Sequence, residues 1–345
     1  MNGSLYYNLY YSFVLRKPKL LFRLLINTIK AKIFKKKVLR YLDICVSSKC
    51  NLKCAHCFAT AFEKEGENEL SLDEWQDVSN QATDLGCVTY GITGGEPLLY
   101  EKLTELLKRM HPFENLITIN TNGTLLTDEL ARRLYRSGVD IFQFSMDSSI
   151  SEEHDKFRKM DGTYDKLMNA IRIAKKNRLK VTIVCTVSHK NMQSQGVKGV
   201  IDFAVKNKLL LIFSRATPAG EWVGKKEILL TKEDQEYMYN IVKKYPNVRT
   251  DMDTNFGPYG CSAATEKLYV TSFGDVVPCP FMHIGFGNVR KNSLKKAREN
   301  MLSLARLNCY SPICHVAEDA EFIENILSKT FKSKKIIDWK SFFTL

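Results

Sequence analysis

From Tyr41 to Ser214, short apolar runs alternate with amphipathic segments at a regular spacing. The runs at 41–46, 87–92, 116–121, 139–145, 181–187 and 209–214 are short and rich in Ile, Val, Phe and Tyr, the pattern of buried strands. Helical periodicity marks 71–84, 101–110, 127–137, 163–177 and 196–206, and Ser71 with Glu74 forms a capping-box start. Six strands interleaved with helices predict a parallel sheet. Right-handed crossovers curl six such units toward an incomplete barrel with its site at the C-terminal strand ends. The expected fold class is therefore α/β, a partial (β/α)6 TIM-like barrel.

On both sides of this series the pattern changes. At the N-terminus Leu21, Leu25, Ile29 and Ile33 recur every four residues, and Phe22, Leu24 and Ile26 widen the stripe. Basic residues fill much of the opposite side, which predicts an amphipathic cationic helix. An interfacial membrane helix, a helix packed on the protein's own body and a basic nucleic-acid arm all fit that pattern; aromatic anchors with Lys/Arg and no acid suit a membrane surface. An Arg-rich transit peptide fits less well, because lysine dominates and serine is sparse. Beyond residue 215 a helix at 231–245 precedes a loop of Asp, Asn and Gly. A hairpin over 267–278 and a helix near 293–306 follow. The expected division is an arm at 1–37, a barrel at 38–250 and a small α+β extension at 251–345.

Charge sharpens the picture of the arm. The net charge is +13, yet Arg16, Lys17, Lys19, Arg23, Lys30, Lys32, Lys35, Lys36, Lys37 and Arg40 all precede the first acid, Asp43. The rest of the chain carries only +3, so the basic character is local and argues against nucleic acid as the partner of the body. Ten cysteines without a recognisable signal peptide point to a reducing cytosol and to metal rather than disulfides. Cys45, Cys87 and Cys185 lie inside apolar strands and read as small buried hydrophobes. His154, His189, His283 and His315 have no metal spacing to one another.

The chemistry sits at the predicted strand ends. Cys50, Cys54 and Cys57 follow the first strand at spacings of four and three. Three thiolates on one loop suit an iron–sulfur cluster that keeps one iron free; a zinc loop with His56 as fourth ligand is the alternative. Gly94-Gly95-Glu96-Pro97 follows the second strand, Asn120-Thr121-Asn122-Gly123 the third, and Ser145-Met146-Asp147 ends the fourth. The small residues allow close approach of a ligand to backbone. Glu96 suits a ligand ammonium, and Ser145 with Asp147 suits ribose hydroxyls.

The run Cys50-x3-Cys54-x2-Cys57, with these three segments, resembles the radical S-adenosylmethionine (SAM) superfamily over roughly residues 40–215. The resemblance implies a [4Fe–4S] cluster on the three cysteines, with SAM chelated to its fourth iron. It places Gly94, Gly95 and Glu96 at the methionyl amino group, Asn120, Thr121, Asn122, Ser145, Asp147 and Arg158 among the SAM contacts, and Phe58 near adenine. His56 departs from the pattern, which has an aromatic there. Cys261, Cys279, Cys309 and Cys314, with Gly274 and Gly287-Asn288, resemble the Twitch/SPASM extensions and imply one auxiliary [4Fe–4S] cluster; zinc or free thiols are the alternative. The implied reaction is reductive SAM cleavage to a 5′-deoxyadenosyl radical, fed by a low-potential flavodoxin or ferredoxin, followed by oxidation or rearrangement of an organic substrate. A small molecule, sugar or lipid-linked compound is expected. Peptide maturation is the second reading, against which stands an N-terminal segment too short for a winged-helix recognition domain. A non-catalytic Fe–S protein is the third.

Overall fold

The computed structural model describes residues 3–62, 64, 66–252, 259–331, 333 and 336–343. Residues 253–258, most of the expected Asp/Asn/Gly loop, lie outside them. Two helices, α1 (Gly3–Ser12) and α2 (Pro18–Lys32), precede strand β1 (Tyr41–Cys45). The series continues through α3 (Leu72–Asp84), β2 (Thr89–Thr93), α4 (Leu103–Arg109), β3 (Leu116–Thr121), α5 (Asp128–Arg136) and β4 (Ile141–Ser145). Next come α6 (Ser151–Arg158), α7 (Thr163–Lys176), β5 (Lys180–Val187), α8 (Gln195–Lys206), β6 (Leu210–Arg215), α9 (Lys232–Lys244) and β7 (Val248–Thr250). The C-terminal part adds β8 (Lys267–Val270), β9 (Val276–Val277) and α10 (Leu294–Leu302).

The strands form one sheet in the order β7-β6-β5-β4-β3-β2-β1-β8-β9. Strands β1 to β7 are parallel to their neighbours, β8 pairs parallel with β1, and β9 returns antiparallel on β8. The expected α/β partial barrel is the fold. The six expected strands and the helices between them stand within a few residues of their predicted limits, because apolar runs and caps fix both. The Ser71–Glu74 capping box closes α3, and Thr231 with Asp234 closes a second one at α9. Sequence periodicity left α1, α6 and β7 unassigned, and it gave no hint that β8 extends the barrel sheet beside β1. The sheet and its helices share one core, in which Trp75, Tyr90, Phe142, Phe144 and Phe213 are fully buried.

The N-terminal arm packs on the body, and it does so with Arg16, Lys17 and Arg23 inward, while Lys19 and the lysines from Lys30 to Lys37 are exposed. Lys17 has no exposed surface; its Nζ donates to the carbonyls of Asn115 and Gly138, both at 2.7 Å, and pairs with Asp140. Arg16 donates to Tyr135 O at 2.6 Å and pairs with Asp140 at 2.9 Å. Arg23 reaches Cys87 O at 2.6 Å, and Asn27 reaches Gly86 O at 2.6 Å. Tyr11 donates to Val181 O at 2.6 Å and accepts from Leu210 N at 3.1 Å. Apart from Tyr135 in the last turn of α5 and Val181 within β5, these acceptors sit in the turns before β2, β3 and β4, where helices have just ended. Helix C-termini present unpaired carbonyls and partial negative charge, so cations are the side chains that satisfy them. Lys17 and Arg23, and in part Arg16, therefore face the body rather than water.

Lys17→Met tests this closure. It removes one partner of a buried pair and leaves two carbonyls without a donor, so we expect a stability loss of about 3–5 kcal/mol in urea unfolding. A loss within experimental error would show that the arm contributes nothing to the body.

Candidate active site

The loop after β1 is held to its surroundings mainly by backbone. Gly95 N donates to Ser47 O and Glu96 N to Lys49 O, both at 2.9 Å, and Ala55 N donates to Phe157 O at 3.0 Å. Glu221 N donates to Cys57 O at 2.9 Å. Asn122 Nδ2 donates to Asn51 Oδ1 at 3.0 Å, and Asn51 Nδ2 to Thr124 Oγ1 at 2.8 Å. Contacts from three strand-end loops and one helix end thus fix Cys50, Cys54 and Cys57 on the wall of a single cavity. Two glycines make room for this loop. A Cβ on Gly95 would lie 2.3 Å from Lys49 O, and one on Gly220, at φ +57°, would lie 2.0 Å from Cys57 O. Backbone cannot yield as a flexible side chain can. Gly95→Ala is therefore expected to displace the cysteine loop and cost about four irons per chain on anaerobic reconstitution; full iron content would mean the loop relaxes.

The sequence-predicted cofactor residues divide into two groups. Phe58, Gly94, Gly95, Asn120, Thr121, Asn122, Ser145 and Arg158 line the cavity. Glu96 and Asp147 stand behind it. Glu96 accepts from Leu98 N (3.0 Å), Thr121 Oγ1 (2.8 Å) and Asn122 N (2.9 Å), so it ties the β2 end to the β3 end, and burial pushes its carboxyl up. Asp147 pairs with Arg158 and accepts from Thr186 N at 3.1 Å. Burial pushes Asp147 up, but Arg158, His56 and His154 outweigh it and hold the carboxyl below its ordinary value. Arg158 in turn points Nη1 at Cys54 Sγ, 3.6 Å away.

His56 stacks on Phe157 with ring centroids 4.5 Å apart and tilts against Trp222. Burial lowers its pKa to about 3, with Arg158 adding to the effect, so the ring is neutral at physiological pH. Phe58 meets Phe62, Tyr269 and Phe281 edge-on. Cys45, Cys87 and Cys185 are fully buried, as their strand positions predict.

A second set of thiols faces the same cavity. Cys261, Cys279 and Cys314 line it, while Cys309 is exposed and is not on its wall. Cys261 N donates to Ser311 O at 2.7 Å, which brings the two ends of the extension together, and Cys314 N donates locally to Glu318 Oε2 at 2.6 Å. Burial raises the bare thiols on both sides, Cys50 to about 11 and Cys279 to about 12. Ionising them requires a compensating cation, as iron supplies. Among the described residues, no three His, Cys, Asp or Glu side chains converge closely enough for a single metal ion.

On the same cavity wall stand charged residues that the sequence reading did not single out. Lys267 Nζ is 3.0 Å from Asp43 Oδ2, and Arg215 pairs with Asp251 and lies 3.2 Å from Glu318. Arg215 is buried, and its Nη2 donates to Tyr239 OH at 3.0 Å. Three carboxylates face two cations, so the group does not select an anion by net charge. A charged residue inside an apolar strand, as Asp43 is, was the available signal. Among the described residues, the buried polar atoms His56 Nδ1, Asn120 Oδ1, Arg158 Nε and Tyr269 OH of cavity-lining side chains have no hydrogen-bond partner. Unpaired groups of this kind are costly and point to a polar ligand. The thiols and these orphaned atoms fit a SAM-binding cluster site.

Residues 44–204 match the model of the radical SAM superfamily, and residues 261–315 that of an iron–sulfur cluster-binding domain, SPASM. An AdoMet-dependent heme synthase of Oleidesulfovibrio alaskensis is 30% identical over 285 residues, covering 71% of this chain and 70% of the relative. A PqqA peptide cyclase of Rhizobium meliloti is 27% identical over 267 residues, covering 72% and 70%. The chain spans between 40% and 79% of the length of three other curated relatives it matches. Among solved structures, Streptococcus suis SuiB bound to precursor peptide SuiA superposes with a TM-score of 0.60 at 20% identity, over 78% of this chain and 67% of that one. That likeness concerns the fold.

Proposed function

The chain belongs to the radical SAM superfamily and carries a SPASM-type iron–sulfur region, and on that premise we propose that it is an enzyme that oxidises or rearranges a compact polar organic molecule. The observation that carries this reading is the placement of both thiol sets, with Arg215 and Lys267, on the wall of one cavity. Cys50, Cys54 and Cys57 would hold the SAM cluster, and Cys261, Cys279 and Cys314 the auxiliary one. Bound there, these groups would supply reductive cleavage of SAM to a 5′-deoxyadenosyl radical and a second centre able to accept an electron. A low-potential flavodoxin or ferredoxin would be the donor.

The chain's own residues position and shield. Asn120 and Ser145 offer polar atoms at the strand ends, and Arg158 directs one guanidinium nitrogen at Cys54. Glu96 and Asp147 keep the strand-end loops and Arg158 in place from behind. Phe58 and Phe281 put apolar surface on the wall, which keeps water from reactive carbon. The Asp43–Lys267 and Arg215–Asp251 pairs supply fixed donors and acceptors to orient a substrate between the thiol sets.

Peptide modification is the second reading, supported by the likeness to PqqA peptide cyclase. Reconstituted enzyme, reductant and SAM, offered deuterated small molecules and peptides in turn, test both. Deuterium entering 5′-deoxyadenosine identifies the substrate class. Iron binding with no deoxyadenosine under any condition would favour the non-catalytic alternative. Cys314→Ala is expected to cost about four irons. Retention of those irons in Cys309→Ala would leave the cluster on three thiols, whereas their loss would show that the Cys309 turn closes over it.

A further inference from the structure

The inward cations of the arm leave its apolar stripe facing outward. Phe22 is 64% exposed and Ile33 69%, and Leu15, Leu25 and Phe34 are exposed beside them. Such residues gathered on one short arm are unusual, because an outward apolar ridge gains nothing from water. The reason lies on the opposite side of α2. Its inner face must satisfy carbonyls of the αβ turns, so Lys17, Arg23 and Asn27 occupy positions that a packing helix ordinarily gives to leucine.

We propose that this end of the protein rests on an anionic bilayer surface, with the α2 ridge in the interfacial layer. Charge complementarity selects that occupant. Lys30, Lys32, Lys35 and Lys36 are exposed at the end of the ridge, and no acid occurs before Asp43. Apolar burial and lysine attraction to anionic headgroups act together in surface-lying helices. Helix α1 lies across the same end of the barrel through Tyr11 and exposes Tyr6 and Tyr10, with Phe13 exposed just after it, side chains suited to the headgroup layer. A second copy would oppose lysine to lysine across a symmetric contact. Nucleic acid would meet the lysines but leave the Leu/Ile/Phe ridge without a partner. No helix among the described residues is long and apolar enough to cross a membrane, so the contact is peripheral.

The placement also orients the enzyme. The arm covers the N-terminal ends of the strands, and the cavity lies at their C-terminal ends. A substrate would enter from the aqueous side, which separates membrane contact from any need for a lipid-linked substrate.

Flotation of the full-length holoprotein with phosphatidylcholine vesicles, with and without phosphatidylglycerol, tests the proposal. Binding should require phosphatidylglycerol and weaken at least about tenfold at high salt. Replacing Lys30, Lys32 and Lys36 by Gln should weaken it roughly a hundredfold, at about fivefold per lysine. Replacing Phe22, Leu25 and Ile33 by Ser should weaken it at least about tenfold while melting temperature and SAM cleavage are kept. Wild-type protein that floats with neither vesicle overturns the proposal. So does a serine variant that binds as tightly as wild type, or one whose only change is from dimer to monomer, which assigns the ridge to a second copy.

Discussion

Cys54→Ala is expected to reduce 5′-deoxyadenosine formation to background and to lower iron from about eight to about four per chain on anaerobic reconstitution. The loop should stay in place, because backbone groups hold it. Ala55 N to Phe157 O, Cys57 N to Cys54 O and Glu221 N to Cys57 O all survive the substitution. The lost sulfur is small and its site borders the cavity, so the fold should melt within a few degrees of wild type. Far-UV circular dichroism and melting temperature check that part, and iron with deoxyadenosine checks the rest. Unchanged cleavage would remove the assignment of these thiols to the SAM cluster. One zinc per chain in the wild type, with little iron, would restore the zinc-loop alternative.

How much of this was legible in the residues varies with the kind of interaction. Strands β1 to β6 could be read directly, because buried parallel strands are nearly continuous apolar runs. The cysteine spacing and the strand-end segments could be read as well, since the order of strands places them on one rim. The division of labour within those segments could not. Glu96 and Asp147 look like ligand groups in the sequence, yet their carboxylates are spent on Thr121, Asn122, Arg158 and Thr186. Gly95 looks like room for a ligand and is room for Lys49 O.

The arm shows a different limit. Its amphipathic period is plain, but period alone does not say which face turns inward. That depends on what the body presents, and the body presents carbonyls at Gly86, Cys87, Asn115 and Gly138. The charges at Asp43, Arg215 and Lys267 were hidden for a related reason. Asp43 is one polar residue in an apolar stretch, while Lys267 and Arg215 stand at the ends of their strands. Only the pairing of β1 with β8 brings Lys267 to Asp43.

Arg158 carries the second large effect, because it serves two neighbours at once. It neutralises Asp147, which is almost wholly buried, and it directs Nη1 at Cys54. Arg158→Met leaves a buried carboxylate alone, so stability should fall by about 3–5 kcal/mol. Removing both partners of such a pair is often close to neutral. Adding Asp147→Asn to Arg158→Met should therefore restore most of the stability, with Asn still able to accept from Thr186 N. The pH dependence separates the variants further. In wild type the Asp147 pKa is lower in the folded than in the unfolded state, so its contribution is present above about pH 4 and is lost as pH falls through the folded value. That acid-side loss should be absent from the double variant. SAM cleavage should follow a different order. Neither variant holds a donor at Cys54 Sγ or the buried Nε on the cavity wall, so both should cleave SAM at least about tenfold more slowly than wild type. If the double variant recovers cleavage together with stability, Arg158 is a strut for Asp147 and has no part in holding the cofactor.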